Sequence, residues 1–157
     1  MTITLLVVGK TDSKELHDLI RSYENRLKHY IRFEFQVIPD LKNSKNLSKQ
    51  QQKEKEGVSI LKILKDSDAL VLLDEKGKQF SSIEFAQMLQ KRMNSGIKSL
   101  VFVIGGPYGF SEAVYKRAQE KMSLSKMTFS HQMIRLFFVE QLYRGFTILK
   151  NEPYHHE

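Results

Sequence analysis

Cysteine is absent from this sequence. Its absence removes a disulfide framework, a thiolate metal site and a cysteine nucleophile, and it fits a reducing compartment, with the cytoplasm as the expected location. Long apolar runs are missing as well, since no segment approaches the ~20 residues needed to cross a bilayer. The opening stretch from Met1 to Gly9 is apolar but has no basic region ahead of it, so it reads as a first β-strand rather than a secretion signal. There is no internal repeat and no low-complexity linker. Acidic residues are in the minority: 25 Lys plus Arg against 18 Asp plus Glu leave a formal charge of +7. A phosphate-rich partner and an ordinary basic surface both account for that excess.

What is present is an alternation of strand-like and helical segments. It predicts one α/β domain over residues 1–157, with a mainly parallel sheet and helices on both faces. Asp12 with Glu15 predicts a helix start, and Leu16, Leu19, Ile20, Tyr23, Leu27 and Tyr30 continue a helical stripe. Phe33, Phe35 and Val37 alternate as a second strand ended by Pro39. Ser48 with Gln51, and Ser81 with Glu84, have the spacing of capping boxes. Ala69 to Leu73 is a continuous apolar strand, with Asp74 to Lys78 as the loop at its carboxyl end. Ser111 begins a helix expected to reach about Met122, a short segment around Leu124 is a candidate to pair into the sheet, and Ser130 caps a last helix from His131 to Lys150. That helix carries an aromatic stripe suited to a core or to a homodimer interface. Lys42, Lys45, Lys49, Lys53 and Lys55 read first as a solvated face and second as contacts to RNA phosphates.

The densest chemical signal is Leu100 to Phe110, a buried strand running into Gly105, Gly106, Pro107, Tyr108 and Gly109. Open α/β sheets bind ligands where such a strand ends and a helix begins. A dinucleotide fingerprint fails, because Pro107 stands where its second glycine belongs and no acidic residue lies about 20 positions on. The phosphate-binding G-x-x-x-x-G-K-[ST] pattern is absent too. A nucleoside-like cofactor without phosphates therefore suits this turn better than NAD or ATP; a plain tight turn is the simpler alternative.

Leu73, Asp74, Gly77 and Lys78, the Ile104 to Gly109 loop, Leu124, Ser125, Thr128 and Phe129, then His131, Arg135, Glu140, Tyr143, Arg144 and the tail Pro153, Tyr154, His155 occur in a fixed order. Together with Val8 to Lys10 and Lys55 to Gly57, this set resembles the small SPOUT methyltransferases that methylate N3 of a pseudouridine in 23S ribosomal RNA, over essentially the whole chain. The resemblance implies a C-terminal trefoil knot, a homodimer with its active site at the interface, and an S-adenosylmethionine pocket. Cofactor contacts carried over by position fall on Leu73, Gly105, Leu124, Ser125, Lys126, Met127, Thr128 and Phe129. No metal is implied.

Catalytic candidates under that resemblance are His155 and Tyr154, which would bind the RNA or poise the acceptor base, and Arg135, which would contact a phosphate or the partner subunit. Histidine changes charge near neutral pH and suits uptake of an imide proton. For His131 a cap or pocket-wall role and direct chemistry fit equally, and Arg144 reads as an ion-pair partner of Glu140. Two residues depart from the family pattern: Ser130 replaces a usual proline, and Gly145 a common alanine. Gly145 should cost roughly 0.5–1 kcal/mol unless two helices approach closely there. The competing class is a non-enzymatic RNA-binding or ribosome-associated module. A nucleotide-dependent oxidoreductase is disfavoured by the failed dinucleotide pattern.

Overall fold

Three strands form the middle of the sheet because they carry apolar side chains on both faces. In the computed structural model, which describes residues 1–156, the strands are β1 (Thr2–Val8), β2 (Arg32–Ile38), β3 (Ala69–Gln79), β4 (Ser99–Ile104) and β5 (Glu120–Ser123). All pairings are parallel, in the order β2-β1-β4-β3-β5. The helices are α1 (Lys14–Leu27), α2 (Lys49–Ile63), α3 (Ser82–Asn94), α4 (Glu112–Arg117) and α5 (Met133–Leu149).

Successive strand residues point to opposite faces, and the core divides accordingly. Ile3, Leu5, Val7, Val71, Leu100 and Phe102 pack with residues of α1, α3 and α5. Leu6, Val8, Leu70, Leu72, Val101 and Val103 pack with residues of α2 and α4. Both expected capping boxes form, Ser48 with Gln51 and Ser81 with Glu84. Gly145 lies where α5 crosses α3, and a Cβ there would stand 3.1 Å from Leu89 Cδ1, so close helix approach uses the missing side chain.

Four boundaries differ from expectation. Helix α5 begins at Met133 rather than His131, with Gln132 as its N-cap, although Ser130 Oγ still accepts from Met133 N at 3.0 Å. Helix α1 is capped by Ser13, whose Oγ accepts from Leu16 N, while the Asp12 N–H is held by Gln132 Oε1 at 3.0 Å. Helix α4 stops at Arg117 rather than near Met122. Gln119 pairs with Leu70 through its backbone N–H (3.1 Å) and its side-chain oxygen (2.6 Å), and this draws Glu120–Ser123 onto the edge of β3. Strand β3 also outruns Leu73: its register with β5 shifts between Leu73 and Lys78, so the expected loop is an outward bulge inside the strand.

Gly77 makes that bulge possible. A Cβ on it would lie 2.5 Å from Met122 C and 2.6 Å from Met122 N, backbone atoms that cannot rotate away. Gly77→Ala should therefore destabilise the fold by about 1–3 kcal/mol, the usual range for overpacking. A chemical-denaturation midpoint is the check, and an unchanged midpoint would mean that β3 and β5 separate freely.

Candidate active site

The glycine loop leaves the carboxyl end of β4 and turns sharply, the Gly109 N–H donating to Gly106 O at 3.2 Å. Within this loop only Gly109 has left-handed backbone, at φ +80°. Gly105 and Gly106 are needed for space instead. A Cβ on Gly105 would approach the Phe110 ring to 3.0 Å, and one on Gly106 would meet Glu56 Oε2 at 2.5 Å. Glu56, on α2, is only 4% exposed and sits beneath the loop. Burial pushes its carboxyl above the usual range, opposed by hydrogen bonds from the Gln52 side chain and the Gly106 backbone.

Beyond β5 a second loop is held by its own serines. Ser123 Oγ donates to Ser125 O at 2.7 Å, and Ser125 Oγ accepts from Met127 N at 3.0 Å. Thr128 Oγ1 reaches Glu75 Oε2 on the β3 bulge at 3.3 Å. The glycine loop, the bulge and this second loop enclose a cleft of about 740 Å³ at the carboxyl edge of the sheet.

Seven of the eight expected cofactor contacts line it: Leu73, Gly105, Leu124, Ser125, Met127, Thr128 and Phe129. Lys126 does not; its side chain is exposed and lies outside the lining. The loop turns at this residue, so adjacency in sequence did not put it on the wall. His131, two residues ahead of α5, and Ile134, in its first turn, complete one side. Sequence reading missed the rim group formed by Asp74, Glu75 and Tyr115. Burial and its hydrogen bond to Asp74 push the Tyr115 hydroxyl upward, which keeps it a neutral donor. Asp74 had a signal in its motif; Tyr115, on a short helix, had none.

Arg135 has a different role from the expected one. It is 0% exposed, so neither a phosphate nor a partner subunit touches it. Its Nη2 donates to Val8 O and its Nη1 to Gly9 O, both at 2.8 Å, while Nε donates to His131 O at 3.0 Å. The guanidinium thus joins the end of β1 to the start of α5.

Tyr154 and His155 lie together, away from the cleft of their own chain. Tyr154 OH donates to Glu140 Oε1 at 3.0 Å, and His155 Nδ1 is 3.3 Å from Arg144 Nη1. Arg144 also pairs with Glu140 at 2.6 Å and stacks under the Tyr154 ring at 4.7 Å. Burial, then hydrogen bonds with Tyr23 and Glu140, push the Tyr154 hydroxyl well above its usual range, so it too stays protonated. At a helical rise of 1.5 Å per residue, Arg144 stands about 15 Å along α5 from Ile134 at the cleft.

Residues 1–155 match the family described as predicted SPOUT methyltransferase. The chain belongs to the SPOUT methyltransferase family. It is 69% identical over 156 residues to the ribosomal RNA large subunit methyltransferase H of Christiangramia forsetii, covering 99% of each chain. It is 66% identical over 157 residues to the proteins of the same name from Flavobacterium johnsoniae and Parabacteroides distasonis, covering 100% of both. Among solved structures, the SpoU methyltransferase AviRb from Streptomyces viridochromogenes, in complex with the cofactor AdoMet, is 13% identical with a TM-score of 0.45, covering 90% of this chain and 56% of that one.

Proposed function

We propose that the chain is a homodimeric, cytoplasmic enzyme that methylates N3 of a pseudouridine in large-subunit ribosomal RNA, using S-adenosylmethionine. The observation that carries the reading is the cleft itself: three segments far apart in sequence form one pocket of ligand size. Its chemistry suits this cofactor, with Leu73, Ile104 and Leu124 as apolar walls for a nucleoside and main-chain groups of two loops to read its edge. On the β3 rim the carboxylates of Asp74 and Glu75 outnumber Lys76, which favours a cationic group there over a phosphate. When bound, S-adenosylmethionine supplies an electrophilic methyl group on a sulfonium.

The residues then have mainly to position the acceptor. Alignment contributes about 7–11 kcal/mol, whereas a general base adds 10²–10⁴-fold, or roughly 3–5 kcal/mol. In this reading His155 takes the N3 proton on Nδ1, which exchanges its contact with Arg144 Nη1 for the acceptor base, and Tyr154, held protonated, orients the base. Since both lie remote from their own cleft, a second copy has to bring them to it. Phe129, Met133 and Phe137, 37–42% exposed beside the cleft mouth, supply an apolar seam for that contact. Residues 124–132 run from β5 back to β1, where Gln132 Nε2 donates to Lys10 O at 3.1 Å; this passage supports the trefoil knot. Among the described residues no cluster could hold a metal ion, and no helix is long and apolar enough to cross a membrane.

Calorimetric titration with S-adenosylmethionine tests the reading. Saturable binding is expected, and a folded protein that takes up none would overturn it in favour of an RNA-binding module.

A further inference from the structure

Tyr108 is the aromatic side chain of the glycine turn, and its ring is 42% exposed on the rim of the cleft. Lys49 Nζ lies 5.5 Å from the ring centroid. One helical turn further along α2, Lys53 lines the cleft directly. Neither ammonium is in an ion pair among the described residues. The same helix grips the loop from below, Gln52 Nε2 donating to Glu56 Oε1 at 3.0 Å with Glu56 under Gly106. Ring and cations are thereby held on one rigid support.

The cleft is electrically lopsided. Its α2 rim is basic, through Lys49 and Lys53, whereas on its β3 rim the two carboxylates of Asp74 and Glu75 outnumber the one ammonium of Lys76. An anionic strand is drawn to the first rim and repelled from the second. An exposed aromatic ring with one cation beside it and a second a helical turn further along the cleft is an arrangement that holds single-stranded nucleic acid, with a base on the ring and phosphates on the cations.

We propose that Tyr108, Lys49 and Lys53 form a docking site for an unpaired RNA nucleotide next to the acceptor, with its base stacked on Tyr108 and its phosphates on the two lysines. The proposal rests on the reading of the cleft as an RNA methylation site, and it names the rim over which the strand enters. Tyr108 is exposed, so replacing it leaves the core intact.

Base stacking on an aromatic side chain is worth about 1–3 kcal/mol, so Tyr108→Ala should raise the KM for ribosomes lacking the modification by roughly 5- to 150-fold. The calorimetric Kd for S-adenosylmethionine should stay within about twofold, and Tyr108→Trp should restore the KM, because any aromatic face can stack a base. Lys49→Ala with Lys53→Ala should flatten the salt dependence of ribosome binding by about one unit of slope per lysine. Equal losses of cofactor and ribosome affinity in Tyr108→Ala would make the ring a cofactor wall and overturn the proposal, as would an unchanged KM. Co-sedimentation with ribosomes in the absence of donor separates this proposal from its parent. Weakened co-sedimentation of Tyr108→Ala, with a wild-type protein that transfers no methyl, would sink the methylation reading and leave the docking site standing. Unchanged co-sedimentation overturns the docking site whatever the transfer assay shows.

Discussion

Arg135→Met should lower the unfolding free energy by about 3–5 kcal/mol, one of the two largest effects expected of a single substitution in this chain. The wild-type guanidinium donates to Val8 O, Gly9 O and His131 O and also reaches Thr11 Oγ1 at 3.2 Å. A methionine of similar length fills the space but donates nothing, and each buried acceptor left without a partner costs about 1–3 kcal/mol. Arg135→Lys should recover only part of the loss, because a single ammonium cannot reproduce the planar fork. The comparison is a urea-denaturation series at constant m value. A loss below about 1 kcal/mol would mean that water reaches those carbonyls, against the burial seen here.

His155→Ala should lower kcat for ribosome methylation by about 10²–10⁴-fold, the contribution of a positioned proton acceptor, and leave the Kd for S-adenosylmethionine within about twofold. The two quantities separate because His155 sits beside Arg144, outside the cleft of its own chain. Stopped-turnover assays and calorimetry on the same preparation decide it. If both quantities fall together, the tail forms part of the cofactor pocket instead. If neither falls, the N3 proton goes elsewhere.

What could be read from the sequence follows from how local each determinant is. The central strands were legible because a strand covered on both faces must be apolar at every position, as Leu70 to Leu72 and Leu100 to Ile104 are. The capping boxes at Ser48 and Ser81 were legible because both partners lie within three residues. Strand β5 was not, because a four-residue strand has no period to display and its placement depends on Gln119 meeting Leu70, 49 positions away. Arg135 was misread for the same reason: a charged residue implies solvent until its partners 126 and 127 positions away are known. Most cofactor-site positions came from the family resemblance rather than from spacing. The structure adds a physical reason for glycines in that pattern: Gly105 and Gly106 make room for Phe110 and Glu56, and the missing Cβ of Gly77 lets the β3 bulge lie against Met122.

The most direct measurement is transfer of a deuterium-labelled methyl group from S-adenosylmethionine to ribosomes lacking the modification, followed by nuclease digestion and mass spectrometry of the nucleosides. The label is expected in a single pseudouridine of the large-subunit RNA, on N3. Label in another nucleoside, or none in RNA from a protein that binds the donor, would contradict the account.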